Sequence, residues 1–408
     1  MKVVKFKYYD EFHCIGSQCP ETCCQHWGIL FGKRDYLNIK HARCSPELRK
    51  IIANAFVRIN NANDLQYAAI KFGDGGYCPM LCDDGLCRLQ KELGEEKMGY
   101  VCNTFPRLHA VVEDSAMIFT LNITCPHVTE ILMNHPEGLE ILEEEYDGKD
   151  KYINKGRMSN YNVPKSWKGY PYFWIVKNAE IDILQNRRFS VRERLLILGY
   201  FSKKADEYID EGNDEKIASL CKMMLDHETC RKIADSLKAP QTDDSAALKS
   251  IDILVRMADW AEEAEGLSFI KQLFSEVRQN LGVKTEKNND KIDFVYSKDK
   301  YLNNQELFGS IEAERPYILE NLLVNQILCQ SPLDGIFKNY FVLVVFYNML
   351  KICVPAFLPE NWNDRDLALA FTHAAKIILN SKVADTWTVG SFIATDSFDL
   401  PHAAFLVS

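Results

Sequence analysis

The sequence lacks the long apolar runs that mark membrane-spanning and exported proteins. Its most apolar stretch covers residues 341–350 and is flanked by Lys338 and Lys351, whereas a bilayer span needs about 20 apolar residues. The N-terminus, MKVVKFKYYDEFHC, interleaves charged with aromatic residues and has no apolar core of the kind that signal peptides carry. We therefore expect a buried core helix at 341–350, no membrane partner and a cytoplasmic location.

An excess of basic residues is also missing. The 408 residues include 48 Lys and Arg against 57 Asp and Glu, which gives a formal net charge of −9. Nucleic-acid binding depends on clustered Lys and Arg, so this balance argues against nucleic acid as the main partner, although a local basic groove stays open. The apolar content of 47% and charged content of 26% exclude a mainly disordered or collagen-like chain. The length fits about two or three domains.

Two cofactor-binding motifs are absent from the sequence. No strand is followed by a glycine-rich turn and, about 20 residues later, by an acidic residue, which is the pattern of a Rossmann-type nucleotide site. Radical S-adenosylmethionine enzymes use a C-x3-C-x2-C loop. The two nearest candidates begin at Cys19 and Cys78 and carry His26 and Gly85 where the third cysteine is required. The sequence supports neither site.

Cysteine is abundant near the N-terminus. Ten of the 14 cysteines lie in the first 125 residues: Cys14, Cys19, Cys23, Cys24, Cys44, Cys78, Cys82, Cys87, Cys102 and Cys125. In a reducing cytosol, such a cluster is typical of metal binding or catalysis rather than of a disulfide framework, which is the alternative. The other four lie in helical patterns and are expected to be small core residues: Cys221, Cys230, Cys329 and Cys353.

The N-terminal cysteines form two groups with the spacing of metal ligands. One group lies in 14–24 and the other in 78–87, followed by Cys102 and Cys125. Thiolates a few residues apart on turns can converge on zinc or on an iron–sulfur cluster, and sulfur ligands disfavour magnesium and calcium. Neither group alone offers a usual ligand set, so we expect them to be halves of one site. The spacing does not separate zinc from iron–sulfur.

Three regions follow one another along the chain. Residues 1–127 are the cysteine-cluster region, with a short β hairpin in 108–121 that turns at 113–115. Residues 128–170 are predicted to form a helix to about Tyr146 and then a polar linker, and 171–408 a helical region. In that region Ser190 and Glu193 form a capping-box pattern that opens a helix to about Tyr208. Further helices are predicted at 214–236, 243–280, 316–330, 337–352 and 364–381, and a loop at 282–300. We predict a mainly α protein, in which a cysteine-rich N-terminal segment with a small β hairpin packs on a helical C-terminal region.

Three further features are candidates for a binding site. Arg107 can bind the carboxylate or phosphate of a cofactor through two hydrogen bonds, or it can form a structural ion pair. The aromatic run at 170–174 can line a pocket by stacking or cation–π contacts, although such a run is more often part of a core. Histidines near the cysteines are candidates for a fourth ligand or a proton shuttle, with a surface or hydrogen-bonded role as the alternative: His13, His26, His109 and His127.

Taken in order, these motifs resemble one protein family. The cysteines of 14–24 are followed by Trp27, and then by Cys78-Pro…Gly-Leu-Cys87, Leu93-Gly-Glu, Cys102…Phe-Pro-Arg107 and Cys125-Pro126. The likeness continues in Leu184-Gln-Asn-Arg187…Arg192-Glu-Arg194-Leu-Leu-Ile-Leu-Gly199 and in Tyr317-Ile-Leu-Glu-Asn-Leu-Leu-Val-Asn325. Over about residues 8–360 the sequence is similar to the flagellin lysine-N-methylases. They belong to a wider group of zinc- or iron-chelating proteins with a CxxCxxCC-type pattern.

The resemblance implies an activity and a cofactor. It implies transfer of a methyl group from S-adenosylmethionine to lysine Nε of flagellin, in a protein that carries a 4Fe–4S cluster, with zinc as the alternative metal. The alternative function, from a different class, is a non-enzymatic zinc- or iron-binding protein that acts as a structural clamp or in metal delivery. The resemblance assigns no catalytic base, no S-adenosylmethionine site and no oligomeric state.

The resemblance also ranks the cysteines as metal ligands. Cys44 and Cys82 do not match the family pattern and rank below the eight others, which are Cys14, Cys19, Cys23, Cys24, Cys78, Cys87, Cys102 and Cys125. These thiols exceed the four that one cubane needs. Either some of them are structural or there are two metal sites.

Overall fold

Helices make up most of the chain. The computed structural model describes residues 2–25, 28–73, 76–146, 161–238, 245–263, 268–288, 291–379 and 398–407. The helices are α1 (Lys33–Lys40), α2 (Pro46–Asn54), α3 (Arg88–Leu93), α4 (Tyr100–Thr104), α5 (Pro126–Met133), α6 (Phe173–Leu184), α7 (Val191–Glu211), α8 (Asp214–Met223), α9 (His227–Leu237), α10 (Ser245–Glu263), α11 (Ser268–Leu281), α12 (Lys298–Glu314), α13 (Pro316–Cys329), α14 (Ile336–Phe357), α15 (Asp364–Ile378) and α16 (Leu400–Val407). The prediction of a mainly α protein is confirmed.

The principal sheet contains the expected hairpin. The strands are β1 (Lys2–Phe6), β2 (Leu30–Phe31), β3 (Phe56–Arg58), β4 (Ala68–Ile70), β5 (Arg107–Val112), β6 (Ala116–Leu121), β7 (Ile141–Glu145), β8 (Asn162–Val163), β9 (Lys284–Asn288) and β10 (Lys291–Val295). The five-stranded sheet has the order β7-β1-β6-β5-β8. Strands β5 and β6 pair antiparallel around the turn at 113–115, whereas β1 pairs parallel to β6. The hairpin is confirmed, and it belongs to a larger sheet than the sequence indicated.

A second, smaller core lies within the region that we call the cysteine lobe, the described residues of 14–105. Strands β2, β4 and β3 form an antiparallel sheet beside α1 and α2. Ser45 caps the N-terminus of α2, and its side chain accepts a hydrogen bond from Leu48 N at 3.1 Å. Apolar side chains from these elements pack together, and four cysteines pack against them: Cys24, Cys44, Cys87 and Cys102. These four half-buried cysteines therefore pack on the lobe's own apolar residues, and Cys78 is buried among them.

Helix α14 is the central helix of the protein. Its 22 residues are long and apolar enough to cross a membrane by length and composition, but 83% of its most apolar window is buried inside the protein. It packs against α7, α12 and α15. The prediction of a buried core helix at 341–350 is confirmed.

A buried polar network joins the helical region to the sheet. The Glu320 carboxylate, 1% exposed, accepts hydrogen bonds from Arg187 Nη2 at 2.8 Å and Arg194 Nη1 at 2.7 Å. Asn321, the next residue of α13, donates from Nδ2 to the carbonyl of Leu132 at 2.9 Å, near the end of α5. Asn325 Nδ2 donates to the carbonyl at the end of β6. The segments at 184–199 and 317–325 that carry the family resemblance thus fix α13 against α5 and β6.

Several predicted element boundaries are wrong. The helix expected from 128 to about 146 ends at Met133, and 141–145 is strand β7 instead. The loop expected at 282–300 contains the hairpin β9–β10 and the start of α12. The helix expected at 214–236 is two helices, α8 and α9. Most of the expected linker, 147–160, lies outside the described residues, and 162–163 is strand β8.

The main core contains side chains from both ends of the chain. It includes Phe6 and Val128 from the N-terminal region, and Phe341 and Val407 from the helical region. The three-region division at 127 and 170 stays a prediction.

Candidate metal centre

Five of the predicted ligands line one cavity in the cysteine lobe. Its volume is about 40 Å³. The thiols are Cys23, Cys24, Cys78, Cys87 and Cys102. They come from the end of the 14–24 segment, from the loop after β4, from the residue that caps α3 and from α4. The remaining walls are almost wholly apolar, and they include Ile29, Phe31, Ile70, Met80, Leu89, Met98 and Phe105.

Backbone hydrogen bonds hold the two cysteine segments side by side. Cys78 N donates to Cys24 O at 2.8 Å, and Gln25 pairs with Tyr77 in an antiparallel bridge. Arg88 N donates to Met80 O at 2.7 Å, which folds the 78–87 loop back on the start of α3. Cysteines that are more than 50 residues apart in sequence therefore meet at one cavity.

A glycine allows α4 to reach the cavity. Gly99 caps the N-terminus of α4, and a Cβ at this position would lie 2.0 Å from Cε1 of Phe31. Phe31 is 2% exposed and cannot swing into solvent. Because residue 99 has no Cβ, α4 packs on β2 and carries Cys102 to the cavity.

Burial keeps most of these thiols protonated. Desolvation raises the pKa of Cys78 to about 12 and the pKa of Cys102 well above its usual range. Cys24 is different, because a hydrogen bond from the Cys23 thiol lowers the pKa of Cys24 to about 7. The same hydrogen bond raises the pKa of Cys23. Metal ligands are thiolates, so a metal that binds here must displace protons.

The spacing of the thiols bears on the kind of metal group. Within the described part of the chain, no three His, Cys, Asp or Glu side chains lie close enough together to hold a single metal ion. Zinc binds its sulfur ligands at about 2.3 Å, so it would need the thiols to draw together. A cubane sits among its four cysteines and holds them farther apart. Five thiols around an otherwise apolar cavity fit the all-sulfur ligation of such a cluster, and the choice between a cluster and zinc stays a prediction.

The other three predicted ligands lie elsewhere, near one another. Cys125 is buried as the cap of α5, and burial together with the neighbouring Cys19 and Cys14 thiols raises its pKa to about 12. Cys19 Sγ donates to Glu21 O at 2.9 Å, while Cys14 is exposed. The structure therefore divides the eight cysteines into five that line the cavity and three that do not. Ligation by any of them stays a prediction. Cys44 and Cys82 are not among the described residues that line the cavity.

A buried ion cluster fastens the 14–24 segment to α15. Glu21 lies between Cys19 and Cys23, and its side chain is 8% exposed. Its carboxylate is 2.6 Å from Lys376 Nζ and 3.3 Å from His373 Nε2. Burial alone would raise the pKa of Glu21, but the interactions with His373 and Lys376 prevail and lower it to about 2. The glutamate is therefore charged and anchors the segment.

A solvent-open groove lies beside the first half of the same segment. Its volume is about 870 Å³. Its walls include Gln18 and Cys19 from the segment, His127 and Glu130 from α5, and Arg365 from α15. The groove holds charged side chains of both signs, unlike the apolar cavity.

The other sequence candidates have structural contacts. Arg107 Nη2 donates to Phe12 O at 3.2 Å, and its guanidinium lies 4.9 Å from the Phe12 ring centroid. In the aromatic run, Phe173 is buried and Trp174 Nε1 donates to Ser115 Oγ at 2.9 Å, which packs the run against the hairpin turn. Binding of a cofactor by Arg107 stays a prediction. His26 and Trp27 lie outside the described residues.

Sequence reasoning missed the charged residues around the cysteine segment. Glu21, Glu130 and Arg365 are far apart in sequence, and no spacing rule connects them. The one available signal was the i,i+3 pair His373 and Lys376, which places two basic groups on one face of a helix. It did not indicate that Glu21 is their partner.

Together, the fold and the cavity define a mainly helical protein with a thiol-lined centre. A family model described as the FliB lysine N-methylase C-terminal domain matches residues 178–405, more than half of the chain. The chain belongs to this FliB family.

Curated relatives agree with the family match. The protein is 31% identical over 162 residues to the flagellar biosynthetic protein FliU of Salmonella muenchen, which covers 38% of this chain and 92% of FliU. It is 30% identical over 138 residues to the lysine-N-methylase of Salmonella typhimurium strain LT2, over 34% of each chain. The lysine-N-methylase of Salmonella choleraesuis strain SC-B67 gives the same figures. The chain thus aligns with about a third of the length of these methylases. No solved structure matches it.

Proposed function

We propose that this protein transfers a methyl group from S-adenosylmethionine to lysine side chains of flagellin, in the cytoplasm, and that an iron–sulfur cluster forms at the thiol-lined cavity. Membership of the FliB lysine N-methylase family supports the methylation. The names of the relatives support the link to the flagellum. The five thiols at one cavity are the single structural observation that carries the cluster.

The reaction sets clear requirements for the site. A lysine ammonium with a pKa of about 10.4 must first lose its proton, since only the neutral amine has a lone pair to attack the sulfonium methyl group. A bond then forms between Nε and the methyl carbon, the bond between carbon and sulfur breaks, and its electron pair leaves with S-adenosylhomocysteine. The added positive charge on nitrogen is relieved by loss of a proton. The protein must mainly hold nitrogen, carbon and sulfur in line.

The cavity is suited to a cluster that holds the lobe together. Its thiols come from separate segments, so ligation would cross-link those segments, and its other walls are almost wholly apolar. A bound cluster would supply this cross-link and a local charge beside the 14–24 segment. The residues at the cavity that would hold it are four among Cys23, Cys24, Cys78, Cys87 and Cys102.

The first test is metal analysis of protein purified without oxygen. We expect a brown protein with iron and acid-labile sulfide in about equal amounts. Cys102→Ser should lose the colour, whereas Cys44→Ser is a matched control in the same lobe and should keep it. A colourless protein that holds one or two zinc ions would support the alternative, a non-enzymatic metal-binding protein.

The second test is methyl transfer. The purified protein is incubated with labelled S-adenosylmethionine and with the flagellin encoded in the same genome, and flagellin peptides are analysed by mass spectrometry. We expect methyl groups on lysine Nε. Label on another protein from the same cells, but not on flagellin, would retain the lysine methylase and refute the proposed substrate. No label on any protein would refute methylation.

A further inference from the structure

The groove beside the 14–24 segment contains two side chains of opposite charge, Glu130 and Arg365, that form only a long ion pair. Glu130 Oε1 and Arg365 Nε are 3.9 Å apart, beyond the 2.7–2.9 Å of a charge-assisted hydrogen bond. The Arg365 side chain is 55% exposed, and the other oxygen of Glu130 is hydrogen-bonded to His127 Nδ1 at 3.0 Å. The groove can therefore offer Arg365 to an anionic group of a ligand and Glu130 to a cationic group.

Both charged side chains stand on helices that are fixed to each other. Thr129 on α5 and Thr372 on α15 are fully buried, and their hydroxyl oxygens are 3.1 Å apart. Thr129 and Glu130 are neighbours in sequence, so this contact holds the Glu130 backbone in place. Arg365 also donates a hydrogen bond to Gln18 O, which ties α15 to the cysteine segment. A site on such rigid elements is organised before a ligand arrives.

We propose that this groove binds the amino-acid end of S-adenosylmethionine, with Arg365 on the α-carboxylate and Glu130 on the α-ammonium. The proposal rests on the methylase function proposed above. A zwitterionic amino-acid group matches the two charges, whereas a peptide lysine offers only a cation and would leave Arg365 unmatched. The volume of about 870 Å³ is large enough for a nucleoside-sized ligand.

The groove and the thiol-lined cavity are lined by parts of the same segment. Cys19 lines the groove and Cys23 lines the thiol cavity, and both belong to the segment that Glu21 anchors. The cosubstrate would therefore lie against the same segment that supplies thiols to the cavity. This placement accounts for a methylase without a Rossmann-type nucleotide site.

The test compares two ligands that differ in the amino-acid group. S-adenosylhomocysteine carries that group and methylthioadenosine lacks it. Binding of each to the metal-loaded protein is measured by calorimetry, for the wild type and for Arg365→Gln and Glu130→Gln. Arg256→Gln is the control, because Arg256 is an exposed arginine that pairs with Asp252 within one helix.

We expect each groove variant to weaken S-adenosylhomocysteine binding about tenfold or more, since each removes a charge-assisted hydrogen bond to the amino-acid group. Methylthioadenosine binding should not change in either variant, and the control should behave as the wild type. Ultraviolet cross-linking of labelled S-adenosylmethionine to the wild type should label peptides from 14–24, α5 or α15, and it does not depend on the folding of any variant.

The outcomes separate this inference from the proposed function. If the wild type binds S-adenosylhomocysteine and methylates lysine, but both groove variants bind it equally well, the groove assignment is wrong and the methylase stands. Label that maps only to other peptides leads to the same conclusion. If the wild type binds neither S-adenosylmethionine nor S-adenosylhomocysteine, the proposed function fails and the groove assignment with it.

Discussion

A buried lysine in the helical region leads to a quantitative prediction. Lys351 on α14 is 5% exposed, and its Nζ lies 5.9 Å from the Tyr347 ring centroid. The Glu312 carboxylate, whose negative charge acts on Lys351, is already engaged, because it accepts hydrogen bonds from Arg192 Nη2 at 3.2 Å and from Tyr347 OH at 2.9 Å. Desolvation, reinforced by the positive charge of Arg192, lowers the pKa of Lys351 to about 7.

The lowered pKa fixes the sign and size of the effect on stability. The unfolded chain holds the Lys351 proton up to about pH 10.5, whereas the folded protein releases it near pH 7. Between these values the unfolded state binds more protons, so raising the pH stabilises the folded state. At about 1.4 kcal/mol per pKa unit, the protonated lysine costs about 4–5 kcal/mol at and below neutral pH. Lys351→Met removes this cost and keeps a side chain of similar length.

The assay is urea unfolding of the wild type and Lys351→Met at several pH values from about 6 to 10. We expect the variant to be more stable at pH 7 by up to about 4 kcal/mol, with the difference shrinking as the pH approaches 10. Taking the difference between the two proteins cancels the titration of groups that they share. Lys232→Met, at an exposed lysine, is the control and should show no such trend. A difference that does not change with pH would refute the reasoning.

Three further predictions concern the frame of the site. Glu320→Gln leaves the buried Arg194 facing a neutral amide and should cost about 3 kcal/mol or more in the free energy of unfolding, measured by urea denaturation; an unchanged midpoint would contradict it. Gly99→Ala places a Cβ against the Phe31 ring and should cost about 1–3 kcal/mol and lower the iron content after reconstitution; full iron content would show that the ring can move aside. Glu21→Gln weakens the anchor of the cysteine segment and should speed iron release to a chelator, compared with Glu228→Gln at an exposed ion pair; equal rates would contradict it.

Local sequence signals predicted elements that local contacts determine. The Ser190 side chain accepts a hydrogen bond from Glu193 N and the Glu193 carboxylate accepts one from Ser190 N, so this capping box starts α7 as expected. The hairpin at 107–121 likewise follows from two apolar stretches around a polar turn. Such elements depend on residues a few positions apart, and the sequence shows those positions directly.

Tertiary contacts determine the elements that the sequence did not predict. The residues of β7, Ile-Leu-Glu-Glu-Glu, favour a helix, but they pair antiparallel with β1, which lies more than 130 residues earlier. The Glu21 anchor is similar, because its partners lie about 350 residues later on α15. A single sequence does not indicate which distant segment will provide a partner.

The motifs that carry the family resemblance contain two kinds of residue, candidate metal ligands and residues that position helices. The cysteines are the candidate metal ligands, whereas Arg187 and Arg194 pair with the buried Glu320 and fix α13. Asn321 extends this network to the end of α5. Helix α5 in turn carries Cys125 at its cap and Glu130 in the groove. The downstream segments can thus influence the groove without lining it, because they fix α5, which packs on α13 and α15 and borders the groove together with the cysteine segment.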